Sequence, residues 1–463
     1  MDTPVTTLIL AAGLGTRMKS KMAKVLHRAG GRPLIEHAVR TSLELAPPEA
    51  VAVVVGHQAD RVRDAVGAYG VRFVEQADQR GTGHAVMAAR EALADRGGLV
   101  LVLYGDGPLL SAATLRRLAE AQEASNAAAT IITTELEDPT GYGRVLTGPD
   151  GRIEAVVEQK AATPEQLRLR VVNSGIYCFR AELLWKHITE IGTNNPAGEY
   201  YLTDMVEILR RAGYEVQTMP VDDSSELHGI NSRVELAAVD RIFRERKVNE
   251  LMLAGVTIEK PETVTVDLDV RVGRDTIIEP FAQILGATEI GEDCRIGACS
   301  VVSDSRLGDG VEIGQFSIVN DSVLEAGAKA GPYARLRLGN HVEAGAAVGN
   351  FVELKKTRLG AGSKAMHLAY LGDSVIGSKV NIGAGTITCN YDGVRKHQTT
   401  IGDGAFVGSN STLIAPVEVG EGSYVAAGSV ISSPVPKDSL ALGRSRQVVK
   451  EDWARRRREG KSA

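Results

Sequence analysis

The sequence predicts a two-part chain: an α/β half built on a mostly parallel sheet, followed by a parallel β-helix. Two observations lead there. Aliphatic side chains at Ile401, Val407, Leu413, Val419, Val425 and Ile431 recur at steps of six residues. The same step runs through Val272, Ile278, Ile284, Ile290 and Ile296, and through Val301, Leu307, Ile313 and Val319. A period of six is neither the 3.6 of a helix nor the 2 of a flat strand. It fits a solenoid in which each side of a coil of about eighteen residues turns one aliphatic inward and small residues make the corners. Glycine often follows the aliphatic residue, as in Ile290-Gly291, Ile296-Gly297, Ile313-Gly314 and Ile382-Gly383. The first half shows no such repeat and alternates short apolar runs with amphipathic stretches, the pattern of a sheet covered by helices on both faces.

Taken in order, strands are expected at 5–10, 51–55, 71–74, 99–104, 129–134 and 215–219, with helices between them such as Leu34 to Leu45 and Thr114 to Ala124. This α/β domain is expected to occupy 1–229. A helix at 230–254 follows, capped by Asn231 or Ser232 and ended by Gly255. The solenoid is expected over 255–440. The tail 441–463 carries Arg455 to Arg458 beside Trp453 and reads as a solvated or disordered end.

Composition removes several function classes. With 53 basic and 58 acidic residues the net charge is -5, which argues against a nucleic-acid binder. No run approaches the ~18 apolar residues of a membrane span, and the start Met1-Asp2-Thr3-Pro4 lacks the features of a signal peptide. Cys178, Cys294, Cys299 and Cys389 are scattered, without a metal or disulfide spacing. Reduced thiols in a cytoplasmic protein are the expectation.

Strand 5–10 runs into Ala11-Ala12-Gly13-Leu14-Gly15-Thr16-Arg17-Met18. Glycines after a strand let backbone N–H groups face an anion. The dinucleotide fingerprint fails, because Met18 stands where its third glycine belongs; the P-loop fails for want of Gly-Lys-Ser/Thr. Arg17, Lys19, Lys21 and Lys24 instead crowd the loop with positive charge suited to a triphosphate. Asp106, after Leu103-Tyr104-Gly105, puts a carboxylate at the end of a buried strand, where it can hold Mg²⁺ against phosphates.

In the solenoid, residues 351–372 and 381–393 break the beat. Glu353, Lys355, Tyr370, Asn390 and Tyr391 are expected to converge near His367, because positions near 353, 371 and 389 stack in coils of about eighteen residues. That cluster suits amine acetylation, with imidazole, which titrates near neutrality, taking a proton from the amine. His341 and His397 read as exposed loop residues, and His84 as structural.

Leu10-Ala11-Ala12-Gly13, Gly15-Thr16-Arg17-Met18, Lys24-Val25-Leu26-His27, Gly81-Thr82-Gly83-His84 and Tyr104-Gly105-Asp106, in that order, resemble the sugar-nucleotide pyrophosphorylases. With the solenoid behind them, the resemblance narrows to the bacterial family in which an N-acetylglucosamine-1-phosphate uridylyltransferase is fused to a glucosamine-1-phosphate acetyltransferase. It covers essentially residues 5 to 447.

The resemblance implies a Rossmann-like nucleotidyltransferase domain and a left-handed β-helix of hexapeptide repeats. It implies Mg²⁺ and, as co-substrates, UTP and acetyl-CoA, with glucosamine 1-phosphate and N-acetylglucosamine 1-phosphate as the sugar substrates. It further implies that Leu10, Ala11, Ala12, Gly13 and Lys24 line the nucleotide phosphates, and that Gln76, Gly81 and Thr82 address uracil. Tyr104 and Gly105 join the same substrate site. Gly143, Glu158 and Asn173 hold the N-acetylglucosamine moiety, Asn231 completes the Mg²⁺ site with Asp106, and Arg17 and Lys24 neutralise charge in the reaction. In the solenoid it implies His367 as proton acceptor, with Arg335, Lys355, Tyr370 and Asn381 on the sugar phosphate. Ala384, Asn390, Tyr391, Ser409, Ala427 and Arg444 are implied for acetyl-CoA. Homotrimers with acyl sites between neighbours are implied too. Ala23 departs from the family's pattern, which has Pro there, and Gly107 replaces a larger residue.

Two other readings stand beside this one. The β-helix is a mere scaffold behind a single nucleotidyl-transfer activity, or the chain is a non-catalytic subunit. The cluster from His367 to Tyr391 speaks against the first, and intact Gly13, Arg17, Lys24 and Asp106 against the second.

Overall fold

The computed structural model describes residues 3–149 and 151–460. Contacts divide the chain into two compact units, Met1–Phe243 and Arg244–Ala463. The division falls inside one long helix, Arg233–Leu253. Ser232 caps that helix: its Oγ accepts the Glu235 N–H at 3.2 Å, and the Glu235 carboxylate takes the Ser232 N–H at 2.9 Å. This reciprocal pair satisfies two of the donors a helix start leaves over.

The first unit is built on a nine-stranded sheet. Its strands are β1 (Val5–Leu10), β2 (Val51–Val55), β3 (Arg72–Glu75), β4 (Leu99–Tyr104), β5 (Ala129–Glu135), β6 (Gly143–Thr147), β7 (Ile153–Val157), β8 (Val171–Arg180) and β9 (Val216–Pro220). They lie in the order β9-β5-β8-β4-β1-β2-β3, with β6 paired to β8 and β7. The strands β1 to β4 pair in parallel, whereas β8 runs antiparallel to both β4 and β5. Ile9, Val53 and Val55 enter the core on one face, and Leu8, Leu10, Ala52 and Val54 the core on the other. Burial on two faces is why β2, and β1 from Leu8 on, are unbroken apolar runs rather than alternating ones.

Three strands of this sheet were not foreseen: β6, β7 and β8. The ten residues of β8 include Asn173-Ser174-Gly175, where the register against β5 shifts between Asn173 and Tyr177. A polar bulge of this kind interrupts both alternation and hydrophobicity, so the strand leaves no periodic trace in the sequence.

The second unit is a solenoid of three parallel sheets, with eleven, ten and nine strands. The inward column of one sheet runs Ile278, Ile296, Ile313, Ala330, Val348, Ala365, Ile382, Val407 and Val425, each in register with the next. Its steps of 18, 17, 17, 18, 17, 17, 25 and 18 residues correct the uniform coil of eighteen. The reason is local. Asp304, Asp321, Lys356 and Asp373 adopt φ of +47 or +48 and tighten one corner. Val301 accordingly faces outward, and Val302, fully buried, fills the core position assigned to Val301. At other corners a buried hydroxyl bonds the following coil, as Ser300 Oγ does to Gly314 O at 2.9 Å.

Cys178 and Cys294 are buried and all four thiols are free. Among the described residues no helix is long and apolar enough to cross a membrane. The expected solvated tail contains a short exposed helix, Trp453–Arg458.

Candidate active sites

Strand β1 ends between β2 and β4, so the chain that leaves it emerges at the carboxyl edge of the sheet, where open α/β sheets bind ligands. Ala11 N–H bonds Val54 O at 2.9 Å and Gly105 N–H bonds Leu10 O at 3.0 Å, fixing the start of the loop. Gly15 then turns with φ +60, and a Cβ placed there would lie 2.6 Å from Lys24 Cβ. The loop therefore closes directly on Lys24, which opens the short turn Lys24–Leu26.

A cleft of about 950 Å³ begins at this loop. It brings together Leu10, Ala11, Ala12, Gly13, Arg17, Lys24, Gln76, Gly81, Thr82, Tyr104, Asp106, Gly143, Glu158, Asn173 and Asn231. Gly105 does not line it. A Cβ there would meet Ile35 and Ala11, so Gly105 lets β4 pass close beneath the loop.

At the phosphate end, Asn231 Oδ1 accepts from Arg17 Nη2 at 2.8 Å and from Lys24 Nζ at 3.2 Å. Lys24 Nζ also contacts the Asp106 carboxylate. One carboxylate and one amide oxygen thus share a cation. No group of three or more His, Cys, Asp or Glu residues able to hold a metal occurs among the described residues. A divalent metal held here would draw Asp106 and Asn231 from the protein and complete its shell with water and phosphate oxygens, which suits Mg²⁺-like chemistry.

At the base end, Gln76 is buried; its Nε2 donates to Gly81 O at 3.2 Å and lies 3.0 Å from His84 Nδ1. Both amide hydrogens are committed, so Gln76 has its carbonyl oxygen to offer a ligand. His84 is thereby structural with a purpose: it orients the Gln76 amide. At the sugar end, Asn173 Oδ1 accepts Gly175 N–H at 3.0 Å and its Nδ2 donates to Tyr177 Oη at 2.7 Å. Burial raises the Glu158 carboxyl above the ordinary range, and the nearby Asp204 and Glu199 carboxylates push the same way. Burial likewise drives the Tyr104 phenol up, with Glu158 and Asp106 adding to it, so Tyr104 stays a neutral hydroxyl.

In the solenoid, Arg335, Glu353 and Tyr370 stack in one column of register, and Arg337, Lys355 and Gly372 in the next. Lys355 is buried and lies 3.4 Å from the Asp373 carboxylate, which Asn390 Nδ2 also contacts. A Cβ on Gly372 would fall 2.5 Å from Tyr370 Oη and 2.8 Å from Asn390 Nδ2, so glycine is what lets those groups close over the coil. Lys396 joins them: the neighbouring Lys355 cation holds its ammonium below the usual value. Sequence reasoning missed Lys396 and Asp373, since neither sits in a periodic position.

Glu353, expected in this cluster, also pairs with Arg337 Nε at 2.6 Å. His367 belongs to a different strand, Lys364–His367, and is exposed; its Nδ1 lies 2.7 Å from Asn350 Oδ1, one coil before. An amide oxygen only accepts, so Nδ1 carries the hydrogen and Nε2 keeps its lone pair. Asn350 was also missed. Asn381 shares His367's sheet.

The 25-residue step holds the excursion that begins at Asn390. Asp392 Oδ1 takes the Val394 and Arg395 N–H groups, its Oδ2 pairs with His397 at 2.7 Å, and His397 N–H returns to Asn390 O at 2.8 Å. His397 is thus a paired loop residue, whereas His341 lies in the strand Asn340–Val342 and pairs with Glu325 at 2.6 Å. Tyr391 is exposed on the same excursion. Ala384, Ser409 and Ala427 follow one corner upward: Ala384 O accepts Asn410 N–H at 2.7 Å and Ser409 O accepts Gly428 N–H at 2.8 Å. Arg444 lies beyond the last coil, exposed.

Fold and site together define a nucleotidyltransferase joined to a hexapeptide-repeat acyltransferase. Comparison with known proteins agrees. The MobA-like NTP transferase domain matches residues 7–169. The bacterial transferase hexapeptide (six repeats) matches 269–304 and 398–433, and the hexapeptide repeat of succinyl-transferase matches 288–328. The bifunctional protein GlmU of Solibacter usitatus is 64% identical over 459 residues, covering 99% of this chain and 98% of the relative. Its counterpart in Koribacter versatilis is 53% identical, covering 97% and 96%, and that of Trichlorobacter lovleyi 47%, covering 98% of each. The chain belongs to this family of bifunctional GlmU proteins. It acetylates glucosamine 1-phosphate with acetyl-CoA and transfers UMP from UTP to N-acetylglucosamine 1-phosphate, releasing pyrophosphate.

Proposed function

We propose that the cleft of the first unit carries uridylyl transfer and the Lys355–His367 region acetyl transfer, each by the residues named above. In the cleft, a phosphate oxygen of N-acetylglucosamine 1-phosphate attacks the α-phosphorus of UTP, and the bond to the β-phosphate oxygen breaks to release pyrophosphate. The protein positions and neutralises rather than reacting covalently. Arg17 and Lys24 bear on the phosphates, and Glu158 and Asn173 address sugar hydroxyl and amide groups. The Gln76 carbonyl accepts from uracil N3–H; cytosine offers an acceptor at that position. Asp106 and Asn231 would hold Mg²⁺, which when bound would supply charge neutralisation on the triphosphate. The observation that carries this reading is the sharing of Lys24 between Asp106 and Asn231 at the mouth of the glycine-rich loop.

In the solenoid, the neutral amine of glucosamine 1-phosphate attacks the thioester carbonyl, His367 Nε2 takes the amine proton, and the CoA thiolate leaves. Lys355, Lys396, Arg335 and Tyr370 supply the charge and hydroxyl that a sugar phosphate needs, while the corner of Ala384, Ser409 and Ala427 serves the acetyl-CoA chain with Asn390, Tyr391 and Arg444. The protein works in the cytoplasm as a homotrimer, its acyl sites completed by neighbouring copies. Phe316, Tyr333 and Phe351 support the assembly: they stack at 5.1 and 5.2 Å on successive coils while about half exposed.

Purified protein given glucosamine 1-phosphate, acetyl-CoA, UTP and Mg²⁺ should form UDP-N-acetylglucosamine. Asp106→Ala or a chelator should stop uridylyl transfer alone, and His367→Ala acetyl transfer alone. Loss of both activities in either folded variant contradicts separate sites.

A further inference from the structure

Lys24 is central to the phosphate end, yet its own backbone lies in an irregular stretch with no strand or α-helix to hold it. The segment that follows β2 supplies the hold. Gln58 Oε1 accepts the Ala23 N–H at 3.1 Å, while Gln58 Nε2 donates to Lys21 O at 2.6 Å. One amide therefore spans residues 21 to 23 from both sides, immediately before Lys24. Arg61 Nη1 adds a third bond, 3.1 Å to Gln58 Oε1. The neighbouring His57 N–H bonds Ala12 O at 3.3 Å, so the same short segment also touches the other limb of the glycine-rich loop.

Two features set Gln58 apart from an ordinary surface glutamine. It stands at the N-cap of the helix Ala59–Val66 but makes no side-chain cap bond there. Its backbone is left-handed, φ +55 and ψ +41, a conformation that suits glycine and disfavours glutamine. Local stability alone would favour glycine here. The side chain's reach to residues 21 and 23 is what glutamine adds. Ala23 explains the need for it: its φ of -56 is a value proline would impose, but alanine does not fix it.

We propose that Gln58 is a positioning residue for uridylyl transfer, clamping the backbone at 21–23 so that Lys24 is presented to the triphosphate. It touches no substrate itself. The inference rests on the assignment of Lys24 to the nucleotide phosphates.

The test compares the full-length parent, Gln58→Gly, Ala23→Pro and the double variant by UTP affinity in calorimetry, uridylyl-transfer kinetics and thermal melting. Gln58→Gly relieves the left-handed backbone, so its Tm should be no lower than the parent's. Its Kd and KM for UTP should nevertheless rise roughly three- to tenfold, the effect of one or two lost hydrogen bonds, with acetyl transfer unchanged. Adding Ala23→Pro, which restores φ by covalent means, should recover most of the lost UTP affinity. Unchanged UTP affinity in Gln58→Gly, a fall in both Tm and affinity, or a folded double variant no better than Gln58→Gly would each overturn the proposal. A parent that fails to bind UTP would instead overturn the assignment of Lys24 on which it rests.

Discussion

At the scale of single residues, partners that carry no periodicity decide what the reactive groups do. The sequence around His367 led to its proposed role as proton acceptor, but it did not reveal the tautomer, because Asn350 is brought to it only by coil register. Asn350→Ala removes the acceptor that fixes Nδ1–H. The kcat of acetyl transfer should then fall roughly tenfold to a hundredfold, within the range of one proton-transfer contribution, with KM little changed. Asn350→Asp, which keeps an acceptor oxygen, should recover most of it; an equal loss in both variants would remove the orienting role.

Glu158 yields a prediction about pH. Its carboxyl is raised in the folded chain by burial and by Asp204 and Glu199, so ionisation is less favourable there than in the unfolded chain. The resulting destabilisation is present above the folded pKa and is relieved as pH falls through it. Glu158→Gln should therefore melt higher than the parent at pH 8, with the gap closing toward pH 5. In the same variant N-acetylglucosamine 1-phosphate binding should weaken at pH 8. A stability gap that does not change with pH would show that the carboxyl is not strained.

At the scale of elements, what the sequence reveals follows what buries. Strands β1, β2 and β4 are buried on both faces and largely apolar, and were readable to the residue, whereas β8 carries Asn173 on a polar bulge and was invisible. The solenoid was legible for the same reason as β1, and its one-residue slips were not, because a left-handed Asp or Lys at a corner looks like any other surface residue. Residues of the cleft were recovered through the resemblance; Tyr177, bonded to Asn173, and Thr203, which donates to Glu158 at 3.4 Å, act from elements outside those motifs. The glycine-rich loop shows how tightly an element sets the site. Gly15→Ala forces alanine to φ +60 and drives its Cβ to 2.6 Å from Lys24 Cβ. The left-handed backbone alone costs about 1–2 kcal/mol. UTP kcat/KM should drop at least about tenfold, with acetyl transfer intact. Near-normal UTP kinetics would mean that the loop and Lys24 adjust independently.

At the scale of the whole molecule, the outer surface of the solenoid is sorted by chemistry. One sheet presents Arg271, Glu289 and Arg306 as a ladder of ion pairs, which solvent screens and which needs no partner. One corner presents Phe316, Tyr333 and Phe351, all left-handed at φ of +56 or +57. Aromatic residues are costly there twice over: the conformation is unfavourable for a residue with a Cβ, and apolar surface is left to water. A second copy of the chain covering that corner, as the proposed trimer requires, would remove the second cost. Tyr333→Glu places a charge in the middle of the stack, where burial against a neighbour is no longer tolerated. By sedimentation, the parent should run as three chains and Tyr333→Glu as one. Acetyl transfer should fall in proportion to the lost trimer, while uridylyl transfer, confined to one chain's cleft, persists. The two activities thus report on assembly separately. A parent that sediments as a single chain, or a monomeric Tyr333→Glu that acetylates at the parent's rate, would end the case for shared acyl sites.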